Sequence, residues 1–428
     1  MRFLQPAGCI AAVAACLLLA GCVGYGHALR NVDLALRQGR PADALATLEQ
    51  LDGGSRNQVL YYINKGMLLR MNGDIAGSIA AFEAAKPLMT FQEATSISET
   101  AGQLALVESA SSYQPRAFER LQLHVLQALN HLQAGHWDDA RVEALQIDLL
   151  LRRLHDGEAP DGADAFARYL SGIIFEGMQE YDEALIAYRK ALEAYDRNGT
   201  VAGVPDDLEQ RLLLLTYRLG LGDEHAKYLE RFGDAQGARA KALAETAGGE
   251  LILVATSGLV ARRYEVSSVQ QDFTTGKFYR ISLPALRRRA GSARRFVLME
   301  GDREIGRSQA VENLSVAAAR ALEDELPGLI ARAIARNVIK NRLANEAGEE
   351  SAGMEFLINF ASVMLENADV RSWSTLPDTI HLLRVPLPEG THRLAVEIEG
   401  GGATGSRELG TVNIDAFRPT VVGLHWIQ

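Results

Sequence analysis

Residues 165–198 read AFARYLSGIIFEGMQEYDEALIAYRKALEAYDRN. Apolar residues recur at helical spacing on both sides of Met178-Gln179-Glu180, so the stretch reads as two helices joined by a tight turn. Gly172 falls midway along the first helix, Tyr181 stands at the turn, and Ala184, Tyr188 and Ala191 follow along the second. The turn recurs. Gly39-Arg-Pro-Ala-Asp-Ala44-Leu45 returns 34 residues later as Gly73-Asp-Ile-Ala-Gly-Ser78-Ile79, then as Gly135-His-Trp137-Asp-Asp-Ala140, and again as Gln179-Glu-Tyr181-Asp-Glu-Ala184-Leu185. Small residues (Gly66, Ala128, Gly172) are expected where two helices cross closely. Aromatics (Trp137, Tyr181, Tyr188) are expected between neighbouring helices. Each pair leaves an apolar face that only another pair can bury, so the expected architecture is a stacked solenoid.

The spacing is not uniform: Gly73 to Gly135 is 62 residues and Gly135 to Gln179 is 44. Inserts are expected around 93–120 and 155–164, and a degenerate fifth pair over Leu208–Phe232. The 34-residue period and these positions resemble the tetratricopeptide repeat. That resemblance implies a concave groove lined by the first helix of each pair. By helix phase the candidate groove residues are Ile63, Met67, Arg70, Val125, Leu129, Phe166, Tyr169 and Ile173.

After Gly248 the pattern changes. Glu250–Thr256 is a short apolar run of β-type residues, and further strands are expected at Arg263–Val269, Phe278–Leu283, Arg295–Glu300 and Glu304–Ala310. Helices then return at Leu314–Leu326, stopped by Pro327-Gly328, at Leu329–Ala344 and at Met354–Asn367. Strands close the chain near Ile380–Val385, His392–Glu399, Arg407–Asn413 and Pro419–Trp426. This order implies an α+β domain with a mostly antiparallel sheet or sandwich. The expected fold class is therefore multidomain: an N-terminal all-α, TPR-like helical solenoid over 25–245, then an α+β domain over 246–428.

Upstream, residues 1–22 read MRFLQPAGCIAAVAACLLLAGC. One cation, Arg2, precedes an apolar run from Ala7 to Ala20, about 14 residues long where a membrane-spanning helix needs about 20. This is the shape of a secretory signal peptide. Its end, Leu19-Ala20-Gly21-Cys22, resembles a bacterial lipobox, which implies cleavage after a 1–21 signal and acylation of Cys22 at the start of a 22–24 anchor segment. Cys9 and Cys16 leave with the signal, so Cys22 is the last of the three cysteines. Val23 is not aspartate, which by the enteric sorting rule directs the anchor to the outer membrane, facing the periplasm. Several acyl chains make such an anchor stable.

Composition narrows the activity. The 428 residues are 47% aliphatic and aromatic and 23% charged, with a net charge of −10. The chain is too apolar to be disordered throughout and too poor in cysteine for a disulfide scaffold. An acidic chain is a poor general nucleic-acid binder, since counterion release needs a basic surface. There is no His-Glu-x-x-His, Gly-x-Ser-x-Gly or Ser-x-x-Lys set. Thr274-Thr-Gly276-Lys277 lacks the rest of a phosphate loop. His124, His131 and Asp138 share a seven-residue spacing, but Gly135-His136-Trp137 interrupts their helix, so no metal ligand and no cofactor is expected. The paired carboxylates Asp138/Asp139, Asp206/Asp207 and Glu349/Glu350 lie on polar segments and read as solvated surface. One run stands out in an acidic protein: Arg287, Arg288, Arg289, Arg294 and Arg295 fall within nine residues. Guanidinium forks match phosphate and carboxylate, so this run is the candidate anionic-polymer contact, against a solvated loop.

Ala368-Asp-Val-Arg371-Ser-Trp373-Ser-Thr-Leu-Pro377 and Leu387-Pro388-Glu-Gly390-Thr-His392 complete the picture. With the lipobox, the repeats and the Gly249-Glu250 strand opening, they resemble a family of TPR-bearing lipoproteins of Gram-negative bacteria, which carries no activity over. Pro386–Gly400 also resembles a PEGA-type β motif, a turn followed by a strand with Leu394, Val396 and Ile398 on one face. The expected function is a non-catalytic scaffold or adaptor that binds envelope proteins through its repeats. The alternatives are an envelope enzyme of cell-wall-hydrolase type, using carboxylates near Arg371 and Trp373, and a carbohydrate- or peptidoglycan-binding module in the C-terminal domain.

Overall fold

The computed structural model describes residues 29–51, 54–99, 112–154, 162–246, 248–271, 278–289, 293, 295–348, 367–400 and 405–427. The lipobox residues Leu19, Ala20, Gly21 and Cys22, Arg294, the middle of each expected insert and the expected helix Met354–Asn367 up to 366 lie outside them.

Among the described residues, ten helices form five pairs: α1 (29–37) with α2 (Pro41–Glu49), α3 (Gly54–Met71) with α4 (Ile75–Glu99), α5 (Ala117–Gln133) with α6 (Trp137–Arg153), α7 (Asp164–Gly177) with α8 (Tyr181–Asn198), and α9 (Asp206–Arg218) with α10 (Gly222–Phe232). A short α11 (Asp234–Glu245) follows. All five turns are built alike. Each has one residue at positive φ: Gly39 (68°), Gly73 (81°), Gly135 (76°), Gln179 (64°) and Gly220 (69°). In each, the next residue's N–H reaches back five residues, as Arg40 to Ala35, Asp74 to Leu69, His136 to His131, Glu180 to Phe175 and Leu221 to Thr216, at 2.8–3.0 Å. This is a left-handed helix stop that satisfies otherwise orphaned carbonyls, and glycine enters it without strain. The crossings follow the same logic. A Cβ on Gly66 would overlap the Phe82 ring, one on Gly172 the Tyr188 ring, and one on Gly177 the Trp137 indole.

The strands are β1 (Gly249–Ser257), β2 (Arg262–Gln271), β3 (Phe278–Arg287), β4 (Arg295–Glu300), β5 (Arg303–Arg307), β6 (Gln309–Asn313), β7 (Thr379–Leu387), β8 (Gly390–Glu399), β9 (Gly405–Ile414) and β10 (Thr420–Trp426). The first sheet has the order β10-β1-β7-β6, with β1 parallel to β10 and antiparallel to β7. The second, β5-β4-β8-β9, is antiparallel, and β2–β3 form a separate hairpin.

The first sheet is covered on both faces. Leu251, Leu253, Ala255, Leu383 and Val385 pack on Phe296, Leu298, Leu394, Val396 and Ile398 of the second sheet. Ile252, Val254, Ile380, Leu382 and Val421 join the core of the helical pairs. A strand buried on both sides reads as a continuous apolar run, which is why Leu251–Ala255 does not alternate. β8 alternates instead, with Leu394, Val396 and Ile398 buried and Arg393 and Glu397 exposed, because its other face meets solvent. The Arg371–Pro377 segment adds to the same junction. Trp373 is fully buried, edge-on to Phe82 of α4 at 5.8 Å, and its Nε1–H donates to Thr375 Oγ1, which donates to Asn64 of α3.

Two expectations are corrected. Glu304–Ala310 is two strands: at Ser308 the chain leaves the second sheet for the first, held by Ser308 N–H to Phe296 O (2.8 Å) and Phe296 N–H to Ser308 Oγ (2.9 Å). The helix after it, α12 (Leu314–Gly348), runs through Pro327 instead of stopping there. A proline removes one backbone bond, and the flanking turns carry the helix past it. At its start Asn313 Oδ1 accepts the Val316 N–H at 2.9 Å, an ordinary cap.

Candidate functional site

Ile63, Met67, Val125, Leu129, Phe166, Tyr169 and Ile173 lie where helix phase puts them, on the first helices of the pairs, but all are at most 1% exposed. Arg70 is turned onto Asn130 Oδ1, and burial lowers its pKa to about 10. These eight residues line no open groove. The first sheet and the Trp373 segment fill that face, so what would hold a partner holds the C-terminal half of the same chain.

The junction contains a buried ion network. Arg384 of β7 lies 2.7 Å from Glu250 of β1, 3.2 Å from Glu176 of α7 and 3.5 Å from Asp207 of α9, with its side chain 1% exposed. Arg211 of α9 lies 2.9 Å from Glu176 and also pairs with Glu250 and Asp207. Tyr188 donates to Glu176 at 2.6 Å. Burial by itself would raise the Glu176 carboxyl, but Arg211 and Arg384 outweigh it and hold it at about 2. A pocket of about 190 Å³ opens beside the network, with Tyr181, Arg218, Thr246, Phe417 and Arg418 on its walls. A carboxylate ionised this firmly between two guanidiniums has no proton to donate near neutral pH.

The carboxylates around Arg371 and Trp373 are equally occupied. Glu119 accepts from the Tyr113 hydroxyl (2.6 Å) and from the backbone N–H groups of Arg116 and Trp373 (2.8 Å each). Asp369 is held by Arg371 at 2.7 Å. The adjoining cavity is about 10 Å³, room for one water.

A more open site lies between α1 and the β2–β3 hairpin. Arg30 and Arg37 of α1, Arg262 and Tyr264 of β2, Arg287 of β3 and Val370 line a pocket of about 260 Å³. One carboxylate, Asp33, serves three guanidiniums, those of Arg37 (3.1 Å), Arg262 (3.4 Å) and Arg289 (2.7 Å). Arg263 and Glu265 also border it, but they are taken by Glu325 (2.9 Å) and Arg280 (2.5 Å). Arg287 sits 4.8 Å over the Tyr264 ring. Among the described residues neither Arg30 nor Arg287 has a carboxylate partner. Planar, undercompensated guanidiniums around a cavity suit a phosphate or carboxylate guest.

The arginine run is thus divided by the fold. Arg287 enters the pocket. Arg289 turns inward to Asp33 and Ser374 O, and burial lowers its pKa to about 10. Arg288 and Arg295 are exposed and lie outside the pocket lining. The four described arginines do not form one patch, because Arg287 ends β3, Arg288 and Arg289 lie in the chain that follows it, and Arg295 opens β4. Arg30, Arg37 and Arg262 carry no signal in sequence, being separated from Arg287 by up to 257 positions. His124, His131 and Asp138 do not converge either: His124 Nδ1 bonds Glu143 at 2.7 Å.

No family model matches the chain, and no curated protein does. Solved structures resemble its N-terminal half. One is MamA residues 41 to the end from Desulfovibrio magneticus RS-1, 16% identical, covering 52% of this chain and 97% of that one, with a TM-score of 0.33. Another is the apo form of RapI, 10% identical, covering 51% of this chain and 72% of that one, with a TM-score of 0.37. Likeness at this level carries no functional argument.

Proposed function

We propose that the chain is a non-catalytic scaffold, lipid-anchored through Cys22 to the outer membrane and facing the periplasm, that binds envelope proteins by the outward faces of its helical pairs. The signal-like segment and Leu19-Ala20-Gly21-Cys22 support the anchor. The observation that carries the scaffold reading is exposed apolar surface on the second helices. Val142, Leu145 and Leu149 make one stripe on α6, and Ile186 lies on α8, each 42–50% exposed. Lys190 ties the two helices to one another at Asp148, 3.2 Å away. Contiguous exposed apolar surface marks interaction sites. Photocrosslinkers placed at Leu145 and Leu149 in living cells should capture a defined envelope protein, and Leu145→Glu with Leu149→Glu should abolish its co-purification. Co-purification undiminished in that double variant would end this reading. Cys22→Ser should leave uncleaved, unacylated precursor.

The arginine pocket favours a second reading, retention on an anionic polymer such as peptidoglycan. Purified protein should then pellet with the polymer at low salt and be released as ionic strength rises.

A further inference from the structure

We propose that the turn between α5 and α6 is a binding site for a divalent transition metal of the zinc class, with His131, His136 and Asp139 as ligands. His131 stands in the last turn of α5, His136 caps α6, and Asp139 is the third residue of α6. Gly135 reverses the chain between them, and the His136 N–H to His131 O bond (2.8 Å) fixes the two backbones, leaving the rings 6.3 Å apart. Asp139 Oδ2 lies 3.9 Å from His131 Nδ1 and 3.9 Å from His136 Nδ1.

A second observation points to a ligand. His131 is 8% exposed, and its buried Nδ1 has no hydrogen-bond partner. A buried polar atom without a protein partner favours a site where a ligand from outside the chain can satisfy it. The nitrogen is aimed at the one place where a second imidazole and a carboxylate converge. Two ligand atoms each about 2.0–2.1 Å from zinc lie about 3.4 Å apart at a tetrahedral angle. The two carboxylate-to-imidazole spacings are half an ångström wider, and all three ligand atoms lie within 4.8 Å of one another, a closure within reach of the exposed His136 and Asp139 side chains. Their exposure leaves a fourth position for water.

The group Glu83, His131 and Glu143 is not the site. Lys86 Nζ lies 2.6 Å from both of its carboxylates, and His124 Nδ1 lies 2.7 Å from Glu143. Those carboxylates already share a cation. Nor is the ligand set a by-product of the repeat. The residues paired like His131 and His136 in the other turns are Ala35/Arg40, Leu69/Asp74, Phe175/Glu180 and Thr216/Leu221. Two imidazoles with one carboxylate select zinc, nickel or copper over magnesium and calcium. Bound metal would pin α5 to α6 two residues from Gln133, which packs over Gly423 of β10.

The test uses the full chain without a polyhistidine tag, stripped with chelator and titrated with Zn²⁺ by calorimetry. One equivalent should bind, and thermal stability should rise with it. His136→Ala and Asp139→Asn should each weaken binding at least ten-fold while leaving the metal-free melting temperature unchanged. His131→Leu should abolish binding yet fold normally, because it removes the orphaned nitrogen along with the ligand. Zinc bound with wild-type affinity by all three variants, or no saturable binding at all, would overturn the assignment.

Discussion

Arg384 and Arg211 sit where the helical pairs meet the first sheet, two guanidiniums among three carboxylates and almost without solvent. Arg30, Arg37, Arg262 and Arg287 sit where α1 meets the β2–β3 hairpin, four guanidiniums around an open cavity with Asp33 as the shared carboxylate. The residue type is the same and the balance opposite. In the first cluster every cation is answered from within the chain, so the cluster holds the two halves together. In the second, positive charge exceeds what the chain supplies, and a guest can make up the difference.

The sharpest way to break this contrast is Arg384→Ala. It would leave Glu176, Glu250 and Asp207 short of a buried partner, and should cost about 3–5 kcal/mol in chemical denaturation. A loss below 1 kcal/mol would mean that the junction does not depend on its ions. Combining Arg384→Met with Glu176→Gln should cost clearly less than the sum of the two single changes, because the pair is removed together.

Acidification probes the same cluster more gently. Glu176 has a folded pKa of about 2 against an ordinary 4.5, so its contribution is complete above 4.5 and lost as pH falls toward 2. His425 and His381, held by burial at about 3 and about 4, act earlier. Below 6.5 the unfolded chain binds protons at these rings that the folded chain refuses, so stability should already decline from pH 6.5 downward. A melting temperature flat between pH 7 and pH 4 would contradict this. The smallest stability effect is expected at the open cluster. Arg30→Ala with Arg287→Ala should change stability by no more than about 0.5 kcal/mol, as partly solvated charges do, yet should remove retention on an anionic polymer in a pelleting assay.

The parts of the fold that rest on local rules are readable in the sequence. Gly39, Gly73, Gly135 and Gln179 mark turns because the left-handed stop needs a tolerant residue at that one place. Gly66 and Gly172 mark crossings because only a missing Cβ lets Phe82 and Tyr188 in. The strand positions followed from β-type runs. Pro327 misled because its breaking effect, a local rule, was overridden by the helix on either side. The groove residues misled for a different reason. Apolar side chains on a first helix read alike whether they face a partner or the chain's own sheet. The arginine pocket and the His131, His136 and Asp139 cluster were also out of reach, the first because it joins segments more than 200 residues apart, the second because the usable spacing of five crosses a turn.

By itself, then, the sequence determined the helical pairs, their turns and the strands that follow, all set by propensity and periodicity over a few residues. Only the tertiary structure decided that the first sheet fills the concave face, that Arg384 is spent on the interior and that Arg287 is left facing a cavity. Burial and charge balance depend on which distant segments come together, and that information is not contained in any one of them.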